Sequence, residues 1–215
     1  MAPHGRICHY ALRPEAEGDY PVSDDDKSTL WTRLREDFNA HGRDVTRPGL
    51  HALLVHRFGV WRMTLQPRPL RMPFSALYRA MFTVVRNVYG IEVPDSVRVG
   101  RRVVFEHQGG IVVHGATVIG DECIIRQGVT LGLRNMQNLQ DAPTLGRGVS
   151  VGAGAKVLGK VRVGDGADIG ANAVVLHDVP AGALAVGIPA RVVARRPRGQ
   201  PSTQPLVAVR DSDTN

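Results

Sequence analysis

VGAGAKVLGKVRVGDGADIG, residues 151–170, carries an aliphatic side chain at every sixth position: Val151, Val157, Val163 and Ile169. The same spacing extends upstream to Val93 and downstream to Val175, and a glycine often follows the aliphatic residue. A period of six fits neither the 3.6-residue repeat of an α-helix nor the two-residue alternation of a half-buried strand. It is typical of a β-helix, in which each short strand is one wall of a coil and points one aliphatic residue inward.

Two interruptions of this repeat indicate where function concentrates. The interval that follows Phe105 is eight residues, and the interval that follows Leu131 is fourteen. The surplus residues lie within 106–110 and 134–140. Because a regular scaffold tolerates irregularity on its loops, and loops carry most binding and catalytic residues, we expect the functional site at these two breaks.

The sequence that flanks the repeat predicts an N-terminal helical domain and a C-terminal tail. Apolar residues at helical spacing predict three helices: one from Ser23–Asp26 to Gly42, one that follows Pro48, and one from Pro73 to Gly90. An open end of a β-helix exposes both core and unpaired backbone, so we expect the helices to cap the first coil. The predicted domains are 1–90 (helical), 91–193 (β-helix) and 194–215 (tail).

The composition argues against several classes of function. The net charge is +7, but aromatic residues are only 5% of the chain and the arginines have no aromatic platform, so no nucleic-acid partner is expected. No run of about 18 apolar residues is present, and the N-terminus lacks the apolar core of a secretory signal. We therefore expect a cytoplasmic protein without a membrane partner. Cys8 and Cys123 have no metal-ligand spacing, so no metal is expected, and Cys123 is predicted to be a small buried residue.

His107 is the strongest candidate for chemistry because it lies in the first break, beside Glu106. Glu92 lies about one coil earlier, where its carboxylate can orient the imidazole and stabilise the protonated form. A histidine oriented in this way can take a proton from an alcohol that attacks an activated acyl group. His114 follows a core valine and His177 lies near the far end of the repeat, so both are predicted to be structural.

Four runs of sequence stand out beside this histidine: FEHQGGIVV (105–113), QGVTLG (127–132), VGAGAKVLG (151–159) and GIPAR (187–191). Together they resemble the serine acetyltransferase family, and the match covers residues 91–193 almost without gaps. The resemblance implies a left-handed parallel β-helix of hexapeptide repeats that forms a homotrimer, or a hexamer of two trimers. Acetyl-CoA is then expected in a groove between neighbouring subunits.

The resemblance also implies roles for individual residues. His107 takes the place of the catalytic base, Glu92 that of the carboxylate that orients it, and Glu106 that of an aspartate that helps bind the amino-acid acceptor. Small residues of the coils would line the groove for the pantetheine arm, and an arginine near the end of the repeat would pair with a nucleotide phosphate. The implied cofactor-binding residues are Gly132, Ala153, Ala171, Asn172 and Arg191.

The second break departs from the family's pattern at the acceptor-binding positions. Aligned on Pro143, Asp141 stands where the family has an arginine that pairs with the serine carboxylate, and Ala142 stands where it has a histidine. Because Asp141 would repel the carboxylate of serine, we expect the acceptor to be a hydroxyl of another small molecule or of a sugar, as in exopolysaccharide and natural-product pathways. The chain ends at Asn215 without the terminal isoleucine through which many relatives dock to cysteine synthase, so no such complex is expected.

The predicted reaction is therefore an acetyl-CoA-dependent O-acetylation, with three alternatives. One is an authentic L-serine O-acetyltransferase of cysteine biosynthesis, and another is a non-catalytic CoA-binding scaffold that lacks the family's second histidine. The third is a metal hydrolyase on the same fold, which needs three converging histidines. The coils offer only His107 and His114 before their far end, which argues against this last alternative.

Overall fold

The computed structural model describes residues 29–193 of the 215-residue chain. Over these residues, three α-helices precede a coil of short parallel strands. The predicted helix start at Ser23–Asp26 and the predicted tail, residues 194–215, lie outside the described residues.

The first two helices begin where local sequence favours a helix start. At the start of α1 (Leu30–Ala40), Thr29 Oγ1 accepts a hydrogen bond from the Thr32 backbone N–H at 3.4 Å. This bond satisfies one of the donors that the first turn of a helix leaves free. At the start of α2 (Pro48–Arg62), Pro48 occupies the first position, where its missing N–H removes no helical hydrogen bond.

The third helix begins earlier than the sequence predicts. α3 (Arg68–Val84) starts before Pro73, which lies inside it, and continues as a π-helical turn, Val85–Tyr89. Pro69 is tolerated because it lies in the first turn, and Pro73 removes only one hydrogen bond near the helix start. Gly90, with a left-handed φ of 65°, ends the helical region where the sequence predicts it.

Fifteen short strands lie between Ile91 and Val193. In chain order they are β1 (Ile91–Glu92), β2 (Arg98–Val99), β3 (Val104–Glu106), β4 (Ile111–Val113), β5 (Val118–Ile119), β6 (Ile124–Arg126), β7 (Thr130–Gly132), β8 (Thr144–Leu145), β9 (Ser150–Val151), β10 (Lys156–Leu158), β11 (Arg162–Val163), β12 (Asp168–Ile169), β13 (Val174–Val175), β14 (Leu184–Gly187) and β15 (Ala190–Val193). Most are only two or three residues long, because each forms one wall of a coil.

Strands of successive coils pair with one another and form three sheets. Sheet A is β1-β4-β7-β10-β13, sheet B is β2-β5-β8-β11, and sheet C is β3-β6-β9-β12-β14-β15. The pairs between coils are parallel, whereas β14 and β15 form an antiparallel hairpin. About five turns of this solenoid lie between residues 91 and 185, which confirms the predicted left-handed parallel β-helix of hexapeptide repeats.

One side chain per wall points into the core, as the six-residue period predicts. In sheet C, five of these side chains stack in register, and each is at most 2% exposed. They are Phe105, Ile125, Val151, Ile169 and Ala185. A Cβ added at Gly120 would lie 2.5 Å from the Gly146 carbonyl oxygen of the next coil. The glycines that follow the aliphatic residues are therefore required by the close approach of successive coils.

Arg57 of α2 joins the helices to the first coil. Its Nη1 and Nη2 donate to the carbonyls of Val99 and Gly100 at 2.7 and 2.6 Å, and its Nε donates to Asp37 Oδ2 at 2.9 Å. The side chains of Arg57 and Asp37 are 4% and 1% exposed. Because β2 is the end strand of sheet B, α2 supplies donors to backbone at an edge of the sheet. The helices thus cap the first coil, as the sequence predicts.

His56 reinforces this junction as a buried neutral group. Its Nε2 donates to the Val97 carbonyl at 3.0 Å, and the residue is almost fully buried. Burial, with a smaller contribution from the Arg57 charge, lowers the pKa of His56 to about 3. The folded protein therefore keeps this imidazole neutral at neutral and mildly acidic pH.

Removal of the Arg57 side chain is expected to destabilise the protein strongly. In Arg57→Leu the buried Asp37 carboxylate and two carbonyls lose their partner, so the free energy of unfolding should fall by about 3–5 kcal/mol. Arg102→Leu is the matched control: Arg102 pairs with Glu122 at 2.7 Å and lies 3.8 Å from Glu36 of α1, so it also joins the helices to the coil, but Arg102 and Glu122 are 37% and 38% exposed. It should change the free energy of unfolding by less than about 1 kcal/mol. Urea unfolding followed by circular dichroism measures both variants, and equal losses would contradict the role of Arg57.

Stability is expected to fall as the pH drops below the ordinary pKa of histidine, about 6.5. The pKa of His56 is lower in the folded than in the unfolded chain, so the unfolded chain binds the proton first. The loss from this group grows by up to about 1.4 kcal/mol per pH unit until the folded pKa is reached. His41, whose pKa burial also lowers, contributes in the same direction.

His56→Gln isolates the contribution of His56 because it keeps a donor for Val97 and removes the titration. Its unfolding midpoint should change less between about pH 7 and pH 4.5 than that of the wild type. Differential scanning calorimetry at several pH values measures the difference. Parallel pH profiles would exclude His56 as a source of the acid sensitivity.

Candidate active site

His107 lies at an irregular corner between sheets C and A. β3 ends just before it, and His107 turns the chain with a left-handed φ of 65°. We call this turn the C–A corner; in successive coils it comprises residues 107–110, 127–128, 153–154 and 171–172. The first coil has two residues more at this corner than the next, and the His107 side chain is exposed. The first break in the repeat therefore places the predicted base on the surface of the coil.

The helical region contacts the C–A corner through backbone and side-chain hydrogen bonds. The Gly109 N–H donates to the Tyr89 carbonyl at 2.8 Å. The Tyr89 hydroxyl lies 3.1 Å from His51 Nδ1, and His51 Nε2 lies 2.6 Å from the Val45 carbonyl oxygen. Since a carbonyl only accepts, Nε2 donates to Val45, and in the neutral ring Nδ1 then accepts from the Tyr89 hydroxyl. The sequence alone does not reveal the contact between His51 and Tyr89, because it joins residues 38 positions apart.

The first turn of α2 packs directly on the strand that leads to His107. A Cβ added at Gly49 would lie 2.0 Å from the Phe105 carbonyl oxygen, so only glycine permits this approach. The position of β3, and hence of His107, is therefore fixed by the start of α2 as well as by the coils.

Glu92, the predicted partner of His107, lies on the first strand of sheet A. It pairs in register with Val112 of β4 and is half-buried. Within residues 29–193, no hydrogen bond or ion pair joins Glu92 to His107. The two residues lie on neighbouring parts of the first coil without contact between their polar groups, and the orienting role of Glu92 stays a prediction.

Glu106, the predicted acceptor-binding residue, makes an ion pair that the sequence did not reveal. Its Oε2 lies 2.9 Å from Nε of Arg126, the residue that pairs with it in register on β6. Arg126 Nη1 also donates to Ser150 Oγ at 3.1 Å. Gln127 follows Arg126, and its Oε1 is buried without a hydrogen-bond partner in the part of the chain that the structure describes. The signal for this pair is the register offset of 20 residues between Glu106 and Arg126, which differs from the regular 18 because of the surplus residues.

The predicted cofactor-binding residues divide into three places. Ala153, Ala171 and Asn172 lie together at the C–A corner, where the Asn172 N–H donates to the Ala153 carbonyl at 2.8 Å. Gly132 ends β7 at the opposite edge of sheet A. Arg191 lies on the β14–β15 hairpin, opposite Val186, and is exposed. The first three therefore lie in the same column of corners as His107, two and three coils further along the solenoid, and the cofactor-binding roles of all five stay predictions.

Asp141 and Ala142, the other predicted acceptor-binding residues, lie away from His107 within one chain. Loop 133–143 connects β7 to β8, so it occupies the corner between sheets A and B. Asp141 Oδ1 accepts from Asn138 Nδ2 at 2.9 Å, and Ala142 is buried. Loop 133–143 therefore leaves the coil at one edge of sheet A and His107 lies at the other, and the shared site of these residues stays a prediction.

Cys123 is a buried structural residue, as the sequence predicts. Its Sγ–H donates to the Gly146 carbonyl at 3.1 Å, and burial raises the pKa of the thiol to about 12. Residues 29–193 contain no cluster of three or more His, Cys, Asp or Glu side chains arranged to hold a metal ion. In the same range, no helix combines the length and apolar character that crossing a bilayer requires.

Known proteins share this architecture and much of this sequence. The family described as bacterial transferase hexapeptide (six repeats) matches residues 142–177. The serine acetyltransferase of Helicobacter pylori (strain ATCC 700392 / 26695) is 43% identical over 148 residues, which are 69% of this chain and 82% of that protein. The serine acetyltransferase of Synechococcus elongatus is 40% identical over 148 residues, which are 69% of this chain and 58% of that protein. The chain thus spans little more than half the length of the Synechococcus relative.

A solved structure matches the fold as well. The crystal structure of serine acetyltransferase in complex with coenzyme A from Brucella abortus strain S19 aligns with a TM-score of 0.65 and 28% identity, over 76% of this chain and 67% of that chain. The similarity in sequence therefore extends to the three-dimensional arrangement of the helices and coils. The chain belongs to the serine acetyltransferase family of hexapeptide-repeat acyltransferases.

Proposed function

We propose that this chain is an acetyl-CoA-dependent O-acetyltransferase in which His107 is the general base. The observation that carries the proposal is the exposed imidazole at a corner that continues in the third and fourth coils with the small residues Ala153 and Ala171. Membership of the family supplies the reaction class. The Brucella abortus relative binds coenzyme A on the same fold, which supports acetyl-CoA as the donor.

The reaction that this arrangement supports is a direct transfer. His107 removes the proton of the acceptor hydroxyl, and the oxygen attacks the carbonyl carbon of the thioester. The tetrahedral intermediate collapses as the carbon–sulfur bond breaks, and the imidazolium returns its proton to the departing thiolate. Backbone N–H groups of the groove would stabilise the oxyanion, as in other acyl transfers. Glu92 would orient the ring if the acceptor or a neighbouring subunit brings the two side chains together.

The column of small residues supports binding of the donor beside His107. Ala153 and Ala171 add only a methyl group to successive coils, which leaves room for a narrow pantetheine arm along the C–A corner. Asn172 follows in the same column. Arg191 lies at the end of the coils, where its exposed guanidinium can pair with a phosphate of the nucleotide.

Assembly with a second copy would complete the site. Gly132 and loop 133–143 lie at one edge of sheet A, and His107 lies at the other. A neighbouring subunit that packs against the C–A corner can supply both features to the groove of its partner. We therefore propose a homotrimer, with a hexamer of two trimers as the larger alternative.

L-Serine is the acceptor that the relatives favour. Both curated relatives are named serine acetyltransferases, at 40% and 43% identity. The expectation of a different acceptor rests on Asp141 and Ala142, and the comparisons do not support it. The relatives give no support for a role in an exopolysaccharide pathway. They also give no support for the expectation that this chain forms no complex with cysteine synthase. A hydroxyl of a sugar or another small molecule is the second candidate, because a carboxylate still stands at position 141.

Acetyl transfer to L-serine tests this proposal. Purified full-length protein with acetyl-CoA and L-serine should release free thiol, measured by reaction with a chromogenic disulfide. His107→Ala should lower kcat by about 10²–10⁴, because general-base catalysis contributes about that factor. His177→Ala, at an exposed position of the last coil, is the matched control and should keep the wild-type rate.

The outcomes separate the parts of the proposal. Thiol release with sugars but not with L-serine would overturn the acceptor and favour the second candidate. Undiminished turnover in His107→Ala would remove the base. Coenzyme A binding without transfer to any acceptor would favour a non-catalytic scaffold.

A further inference from the structure

We propose that Arg126 determines which acceptors the site admits, because it occupies the carboxylate of Glu106 beside His107. The inference rests on the proposed function, and it names the feature that Arg126 discriminates: a positively charged amino group on the acceptor. An acceptor that carries an ammonium group must displace Arg126 from Glu106. An acceptor without this group need not.

Arg126 is held in place from both sides on the outer face of sheet C. Glu106 and Arg126 are the last residues of β3 and β6 and pair in register. Arg126 Nε lies 2.9 Å from Glu106 Oε2, in the preceding coil, and Nη1 donates to Ser150 Oγ, in the following coil, at 3.1 Å. The guanidinium is thus anchored by two coils, whereas a surface arginine with a single partner is free to swing away.

Glu106 is the acidic residue adjacent to the base in the chain. Its backbone leads directly into His107, and its side chain is 33% exposed, so the carboxylate is accessible to a ligand. Glu92 makes no polar contact with His107, and Asp141 lies at the other edge of sheet A. Within one chain, Glu106 is therefore the carboxylate best placed to bind an ammonium group on an acceptor whose hydroxyl meets His107.

The ion pair with Arg126 weakens the binding of an ammonium group by Glu106 because it neutralises the carboxylate. A carboxylate already paired with a guanidinium attracts a second cation much less strongly than a free carboxylate does. The side chains of Glu106 and Arg126 are about one-third exposed, so the ion pair is partly solvated. A pair of this kind changes the equilibrium constant for ligand binding at Glu106 by up to about fivefold. The ion pair is therefore expected to weaken binding of an amino-acid acceptor by this factor, and not to weaken binding of an amine-free acceptor of the same size.

The experiment compares L-serine with L-glycerate, in which a hydroxyl replaces the ammonium group. The readout is the ratio of their KM values, since effects on the shared hydroxyl and carboxylate cancel in it. Arg126→Leu should lower the ratio of KM for serine to KM for glycerate about fivefold, with kcat changed less than about twofold. Arg126→Lys keeps a cation beside Glu106 and should keep the ratio near that of the wild type. Arg126→Gln serves as a second neutral variant if the leucine variant does not fold.

Arg102→Leu is the matched control because it removes another ion pair between coils, Arg102–Glu122, away from the C–A corner. It should leave the ratio unchanged. A ratio that changes less than twofold in both neutral Arg126 variants, or that changes equally in Arg102→Leu, would overturn the proposal. If the wild type does not acetylate serine, the proposed acceptor fails, and the same ratio taken from calorimetric dissociation constants in the presence of coenzyme A still tests Arg126.

Discussion

The buried guanidinium of Arg57 is the contact on which the remaining geometry depends. The first coil of a parallel solenoid has no preceding coil, so the backbone of its walls must find partners elsewhere. Arg57 supplies them from α2 and is itself neutralised by Asp37 of α1. Because α2 is fixed in this way, Gly49 can lie against Phe105 and His51 can contact Tyr89. The corner that carries His107 is therefore positioned by a contact on a different wall of the coil.

The walls of the coil could be predicted from the sequence, and the contacts between coils could not. The six-residue period records which side chain of each wall points inward, so the step from Val151 to Ile169 follows from counting. The steps from Phe105 to Ile125, from Ile125 to Val151 and from Ile169 to Ala185 are 20, 26 and 16 residues, and they depend on how the chain turns its irregular corners. The Glu106–Arg126 pair depends on how many surplus residues the first corner absorbs, and this is a matter of turn conformation rather than periodicity. The start of α3 lies earlier than the sequence predicts because Pro73 resembles a helix start but is the sixth residue of the helix, where it removes one hydrogen bond without ending the helix.

The exposed corner position of His107 could be predicted from the sequence, whereas the contacts around it could not. His107 stood out because it interrupts a regular pattern, and the structure places it at an exposed corner. The sequence groups Glu92 with His107 by its position about one coil earlier and by resemblance, and it groups loop 133–143 with His107 as the second break in the repeat. In the structure Glu92 lies on β1, and the loop follows β7 at the corner between sheets A and B. Two residues of a solenoid lie close together when they occupy the same position around successive coils. The sequence shows that position only where the six-residue repeat is unbroken.

Loop 133–143 leaves the coil after β7 and re-enters it in register, since Leu145 on β8 stacks on Ile119 as though no insertion were present. The packing of the repeats on either side therefore does not depend on the residues of the loop. A loop of this kind can become longer or shorter, or change its residues, while the packed interior of the coil stays the same. Proteins built on this coil can therefore change the chemistry that the inserted loop recognises without changing the scaffold.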